Sequence, residues 1–196
     1  MGKVLLLGAG ARRERMIMVR GRTNWAGQAL VTLDIDYRHQ PDIVWDLNEH
    51  PWGGYRVVDA TTMGIVLEDN SFEEIHAYEV MEHLGRQGDL LSFFADFGEI
   101  YRLLEPDGRF AATVPRWESM WAWGDPGHTR IINSGSLAFL DQQQYKDQVD
   151  CPPGRRTPMA DYRSLWDGDL ELVWHDYLPE NFRFILRAVK PSRIDR

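Results

Sequence analysis

The residues best placed by type and spacing to do chemistry lie early in the chain. "KVLLLGAG" puts Gly8-Ala9-Gly10 directly after a short apolar run, and "VTLDID" puts Asp34 and Asp36 at the end of the next one. A glycine turn after a buried strand lets backbone approach a ligand and aims the next segment of chain at it. An acid about 20 residues further on stands where it can take the hydroxyls of a ribose, because a carboxylate accepts two hydrogen bonds. Asp46, at the end of a third run "DIVWDL", falls on the same rim if all three strands are parallel. That chemistry is nucleoside recognition. A dinucleotide fingerprint would need a third glycine, and Arg12 and Arg13 stand there instead. Asp34, Asp36 and His39 are a thin set for a metal, so no metal centre is expected.

These groups need a scaffold that brings strand ends together. Lys3–Leu7, Leu30–Ile35, Asp42–Leu47 and Glu74–Tyr78 read as strands, and "YRVVDA" from Tyr55 as an extra strand or an insertion. Ala11–Val19 is expected to form a short helix. Asp89–Leu104 is the clearest helix: Leu90, Phe93, Phe94, Phe97, Ile100, Tyr101 and Leu104 recur at three- and four-residue spacing, and Pro106 and Gly108 stop it. "RFAATVP" alternates as a strand. Residues 116–163 are irregular, rich in Trp, Gly, Pro and Gln, with helical character only over Ser136–Tyr145. "LELVWHDYLP" and "FRFILRAVK" form a closing antiparallel hairpin. The expected architecture is one α/β domain over residues 1–196, a three-layer sandwich around a mostly parallel seven-stranded sheet, with residues 116–163 as an insert.

Composition narrows the partners. A net charge of −8 argues against a duplex nucleic-acid surface, and the arginines at 12, 13, 15, 20 and 22 read as a solvated face. No apolar run is long enough to span a bilayer, so no membrane partner is expected. A single cysteine, Cys151, and a first strand that leaves no room for a signal peptide suit a cytoplasmic setting.

In this order, "VLLLGAG", "VTLDID", "DNSFEEIHAYEVMEHL", "YRLLEPDGRFAATVP" and the final hairpin resemble class I S-adenosylmethionine-dependent methyltransferases. "PDIVWDLNEHPW" and "WAWGDPGHTRII" narrow the resemblance to small phage-encoded methyltransferase-like proteins. The resemblance implies S-adenosylmethionine as cofactor. Gly8, Ala9 and Gly10 would lie along its methionine part, Asp34 at the ribose, and Ile35 against the adenine. Asp46, with Leu47 beside it, would meet the adenine amine, Asp59 being the competing acid. Ala77, Tyr78 and Glu79 would face the sulfonium. It further implies a small-molecule or nucleotide-like acceptor, with Glu79 and His128 as candidate bases and Arg130 as a clamp for an anionic substrate. His83 and Glu82 read as structural members of the "EHL" turn. Trp117, Trp121 and Trp123 can wall a planar substrate or pack the insert. Three departures stand out: Leu6 replaces an acid often found in the first strand, Arg12 replaces the third glycine, and the helix that usually precedes the first strand is missing. A second subunit or the Gly53–Val66 stretch is therefore expected to shield the cofactor, and a non-catalytic interaction protein of the same fold is the competing reading.

Overall fold

A computed structural model describes residues 2–58, 61–152 and 159–194. The continuous apolar run at the start forms β1 (Lys3–Leu7), whose Val4, Leu5, Leu6 and Leu7 are all buried. Both faces of this strand are covered, which is why it shows no polar alternation. It pairs in parallel with β2 (Ala29–Asp34), which pairs in parallel with a two-residue β3 (Ile43–Val44). The third strand is thus much shorter than the expected Asp42–Leu47. Asp42 instead turns its carboxylate back to the Thr32 backbone N–H and hydroxyl, at 2.9 and 2.8 Å.

Residues 53–66 form neither a lone strand nor a loose insertion. β4 (Gly53–Val58) and β5 (Thr61–Val66) make an antiparallel hairpin that adds to the sheet edge beside β3. Asp59 lies outside the described residues. On the other side of β1, β6 (Phe72–Tyr78) and β7 (Leu104–Pro115) continue the parallel sheet. The long helix α1 (Leu90–Leu103) connects them, capped by Asp89, whose carboxylate accepts from the Ser92 N–H. The closing hairpin is β8 (Leu170–Tyr177) and β9 (Asn181–Ala188), with β9 inserted antiparallel between β7 and β8. The sheet order is β5-β4-β3-β2-β1-β6-β7-β9-β8, nine strands among the described residues. Seven of them are the expected mixed sheet and two are the edge hairpin. The chain reverses direction across the sheet at β1, because β2 and β3 lie on one side of it and β6 on the other. In such sheets the crevice at the strand C-termini beside this switch is the ligand site.

One face of the sheet carries the main core. Phe94, Phe97, Ile100 and Leu103 of α1 pack with Leu5, Leu7, Ile75, Ala77, Phe110 and Ala112. The insert adds three short helices, α2 (Met120–Gly124), α3 (Ser134–Leu137) and α4 (Gln142–Gln148). Tyr145 of the insert and Trp166 just after it are buried in the core.

The opposite face departs from expectation. Residues 11–19 form no helix. Ile17 and Val19 are buried against Ala111 and Ile185, while Met16 and Met18 point to solvent. The pattern over these four residues is therefore two-residue alternation, which belongs to extended chain. Arg15 is drawn inward as well. Its guanidinium meets Glu74 at 2.6 Å, and both side chains are fully buried. Glu74 also accepts from the Nε2–H of His76 at 2.8 Å and from Arg22 at 3.1 Å. Burial holds the His76 pKa down, so the ring is neutral, and its Nδ1 accepts from the Tyr78 hydroxyl at 2.7 Å. Burial pushes the Glu74 carboxyl up, but the His76 and Arg15 hydrogen bonds outweigh it and leave it at about 2. This polar cluster fastens the irregular segment after the glycine turn to the sheet.

Candidate functional site

The site is built at the C-terminal ends of β1, β2, β3 and β6. β1 ends in Gly8, whose φ of +56° is a left-handed conformation that favours glycine. A Cβ there would also stand 2.4 Å from Cγ2 of Val80. Both reasons require glycine at position 8. Gly10 has φ +51° but open space around it. Its N–H donates to Oδ2 of Asp34 at 2.7 Å, while Oδ1 of Asp34 accepts from the Asp36 N–H at 2.8 Å. Asp34 thus ties the glycine turn to the end of β2. Each of its oxygens keeps a second lone pair for a ligand.

A cavity of about 310 Å³ opens here, lined by Gly8, Asp34, Ile35, Asp46, Leu47 and Glu79 among others. Its size falls within the range of small-molecule sites. Those six residues come from four separate sequence segments, and all were expected around one cofactor. Asp46 is oriented by the Asn48 N–H, which donates to its Oδ1 at 2.9 Å. Glu79 sits at φ +56°, where the chain leaves β6, and accepts from Asn181 Nδ2 at 3.0 Å. Trp45, Asn48, Val80, His83 and Leu84 also line the cavity and were not assigned to the cofactor from sequence. Their signal was present only as neighbours of Asp46 and Glu79 in the chain.

Ala9, Gly10, Ala77 and Tyr78 are not among the lining residues. Ala9 and Ala77 are buried behind the turn. Tyr78 alternates away from Glu79 along β6, so its side chain joins the Glu74–His76 cluster on the far face. The Tyr78 side chain therefore lies on the face away from the cavity.

Arg130 is likewise placed differently from expectation. It is only 4% exposed, with Nη1 donating to Asp96 at 2.7 Å and Nη2 to Ser92 at 2.7 Å. Asp96 also meets His50 Nε2 at 2.9 Å. A guanidinium committed in this way staples the insert to α1. His128, two residues earlier, remains beside the site. Its Nδ1–H donates to the Trp121 carbonyl at 2.8 Å, and its ring packs against that of His83 with centroids 4.8 Å apart. His83 in turn lines the cavity. Beneath these rings lies Glu82, 2% exposed, with no hydrogen-bond partner on either carboxylate oxygen. Burial, reinforced by the Glu79 and Asp125 carboxylates, pushes its pKa up to about 8.

The residues fit the nucleoside part of S-adenosylmethionine by their chemistry. Asp34 and Asp46 are acceptors for a diol and an exocyclic amine, and Ile35, Leu47 and Trp45 offer apolar surface for a base. Glu79 supplies negative charge on the side of β6.

No protein-family model matches this chain, and a search of curated proteins finds no match. The fold is nevertheless shared with solved structures. A SAM-dependent methyltransferase from Archaeoglobus fulgidus superimposes with a TM-score of 0.54 at 12% identity, over 95% of this chain and 86% of that one. A SAM-dependent methyltransferase from Methanosarcina mazei gives 0.52 at 12% identity, over 96% and 92%. The 1,6-didemethyltoxoflavin-N1-methyltransferase of Burkholderia thailandensis, solved with S-adenosylhomocysteine bound, gives 0.53 at 13% identity, over 96% and 72%. By its strand order, its closing hairpin and these likenesses, the chain has the Rossmann-like fold of the class I methyltransferases.

Proposed function

We propose that this chain transfers a methyl group from S-adenosylmethionine to a small-molecule or nucleotide-like acceptor. The observation that carries the reading is the convergence of Gly8, Asp34, Ile35, Asp46, Leu47 and Glu79 on one cavity at the topological switch of the sheet. When bound, S-adenosylmethionine supplies an electrophilic methyl group on a positively charged sulfur. Asp34 receives the ribose hydroxyls with the lone pairs left free by Gly10 and Asp36. Asp46 receives the adenine amine, and Ile35 and Leu47 flank the ring. Glu79 favours positive charge nearby by Coulomb attraction.

Methyl transfer is an in-line displacement, so holding donor and acceptor in contact supplies much of the rate. A base is needed only where the acceptor must lose a proton. Glu79 and the Nε2 of His128 are the groups we assign this role beside the cavity. Trp117, Trp121 and Trp123 are largely exposed, and the Trp121 carbonyl holds His128. Exposed indole faces beside the site suit a planar acceptor.

Titration with S-adenosylhomocysteine in a calorimeter tests the reading. Low-micromolar binding is expected in the wild type, weakened at least about tenfold in Asp34→Asn, a loss of about 1.4 kcal/mol. An absence of heat with the folded wild type would overturn it.

A further inference from the structure

Glu82, His83 and His128 bring one donor atom each to within 4.8 Å of one another, at the border of the cavity. Their surroundings fix the tautomers of both rings. His83 Nδ1 lies 3.0 Å from the Gly127 carbonyl, and His128 Nδ1 lies 2.8 Å from the Trp121 carbonyl. A carbonyl only accepts, so both Nδ1 atoms carry hydrogen, which leaves Nε2 as the nitrogen through which a neutral ring can bind a metal. A backbone carbonyl behind a neutral imidazole is the arrangement that orients histidine ligands at metal sites.

Glu82 adds an independent observation. Its carboxylate is buried, with no donor at hydrogen-bond geometry on either oxygen and the like-charged Glu79 carboxylate beside it. A buried carboxylate without a partner is strongly disfavoured unless a proton or a cation joins it. Asp125 is also close: its Oδ2 stands 3.8 Å from His128 Nε2, while its Oδ1 is held by the Gly127 N–H at 2.8 Å. The loop and the strand-end turn are stitched together: the Glu82 carbonyl accepts from the Thr129 N–H at 2.9 Å and the Arg130 N–H at 3.1 Å.

We propose that Glu82, His83 and His128 form a binding site for one divalent transition-metal ion, with an oxygen of Asp125 as the fourth donor. Two imidazoles with carboxylate oxygens suit zinc and its first-row neighbours. Ligand atoms about 2.0–2.2 Å from one ion stand at most about 4.4 Å apart, so side-chain rotations of under about 1 Å close the set. Because the observed geometry needs no cofactor, the site stands apart from the methyl-transfer reading. If that reading holds too, His128 serves as ligand and the ion takes the place of a base. A metal-bound hydroxyl acceptor loses its proton more readily.

The test uses the full chain stripped with a chelator, then titrated with Zn²⁺ by calorimetry and with Co²⁺ by visible absorption. One ion per chain is expected, with Co²⁺ bands of a four- or five-coordinate site. His83→Ala and His128→Ala should each weaken binding by at least about tenfold, as should Glu82→Gln, while the remote surface variant His39→Ala should not. Circular dichroism establishes that each variant is folded. The two histidine variants suffice should Glu82→Gln misfold. Absence of uptake, or uptake that is the same in the wild type and in both histidine variants, would overturn the proposal. S-adenosylhomocysteine titrated into the same samples separates the two readings, since metal can bind where the cofactor does not, and the reverse.

Discussion

Replacing Glu74 by Gln is the sharpest test of how the segment after the glycine turn is held. Glu74 and Arg15 have fully buried side chains and meet at 2.6 Å. Gln keeps the size of the side chain but removes its charge. Arg15 would then face only neutral partners, the amide oxygen of residue 74, Gln28 Oε1 at 2.6 Å and the face of Trp25 at 4.4 Å, and its Nε already has no partner. Removing one member of a buried pair typically costs about 3–5 kcal/mol, because the remaining charge is left uncompensated. That is a large part of a total stability of about 5–15 kcal/mol. With a urea slope of about 2 kcal/mol/M, a loss of about 4 kcal/mol moves the unfolding midpoint down by about 2 M. The exposed pair Asp36–Arg38 provides the contrast, and Asp36→Asn should leave the unfolding midpoint close to that of the wild type.

The effect has a pH signature. The Glu74 carboxyl is held at about 2 in the folded chain, below its ordinary value of 4.5. A depressed carboxyl contributes stability that is fully present above 4.5 and is lost as pH falls toward 2. Protonated Glu74 resembles Gln, so the gap between wild type and variant should narrow between pH 5 and pH 2. Urea melts followed by tryptophan fluorescence at several pH values measure both. A gap below about 1 kcal/mol at pH 7, or one that stays constant down to pH 2, would refute the role given to this cluster.

Gly8→Ala meets both a left-handed backbone and the Val80 methyl, so it should lose about 1–3 kcal/mol in a thermal melt and abolish S-adenosylhomocysteine binding. Gly10→Ala, strained but unobstructed, should lose about 1 kcal/mol and retain binding. Arg130→Met leaves Asp96 buried without its guanidinium and should lower stability by about 3–5 kcal/mol. S-adenosylhomocysteine affinity of the folded Arg130→Met fraction should stay within about threefold of wild type, and a larger change would return Arg130 to the site.

The sequence by itself determined the first two strands, the helix after the fourth expected strand and the closing hairpin, with acids at the ends of the strands. An unbroken apolar run specifies a strand buried on both faces, and the stripe from Leu90 to Leu104 specifies one helix face. Because parallel strands carry their C-termini to one edge, Gly8, Asp34 and Asp46 were legible as neighbours before any coordinate, and the family resemblance added Glu79. Tertiary structure alone decided the rest. Whether residues 11–19 coil or extend depended on Glu74, far along the chain, drawing Arg15 to the sheet and on Ile17 and Val19 finding a hydrophobic seat. The direction of Tyr78 came from strand alternation, once the burial of His76 was set by what covers it. The fate of Arg130 turned on Asp96, a carboxylate on the buried side of α1 that a hydrophobic pattern does not record. His83 and His128 met because the loop at 125–130 folds back onto the end of β6. Local pattern reports which face of an element is apolar. Long-range pairing of buried charge depends on which distant segments close upon each other, and only the assembled fold contains that.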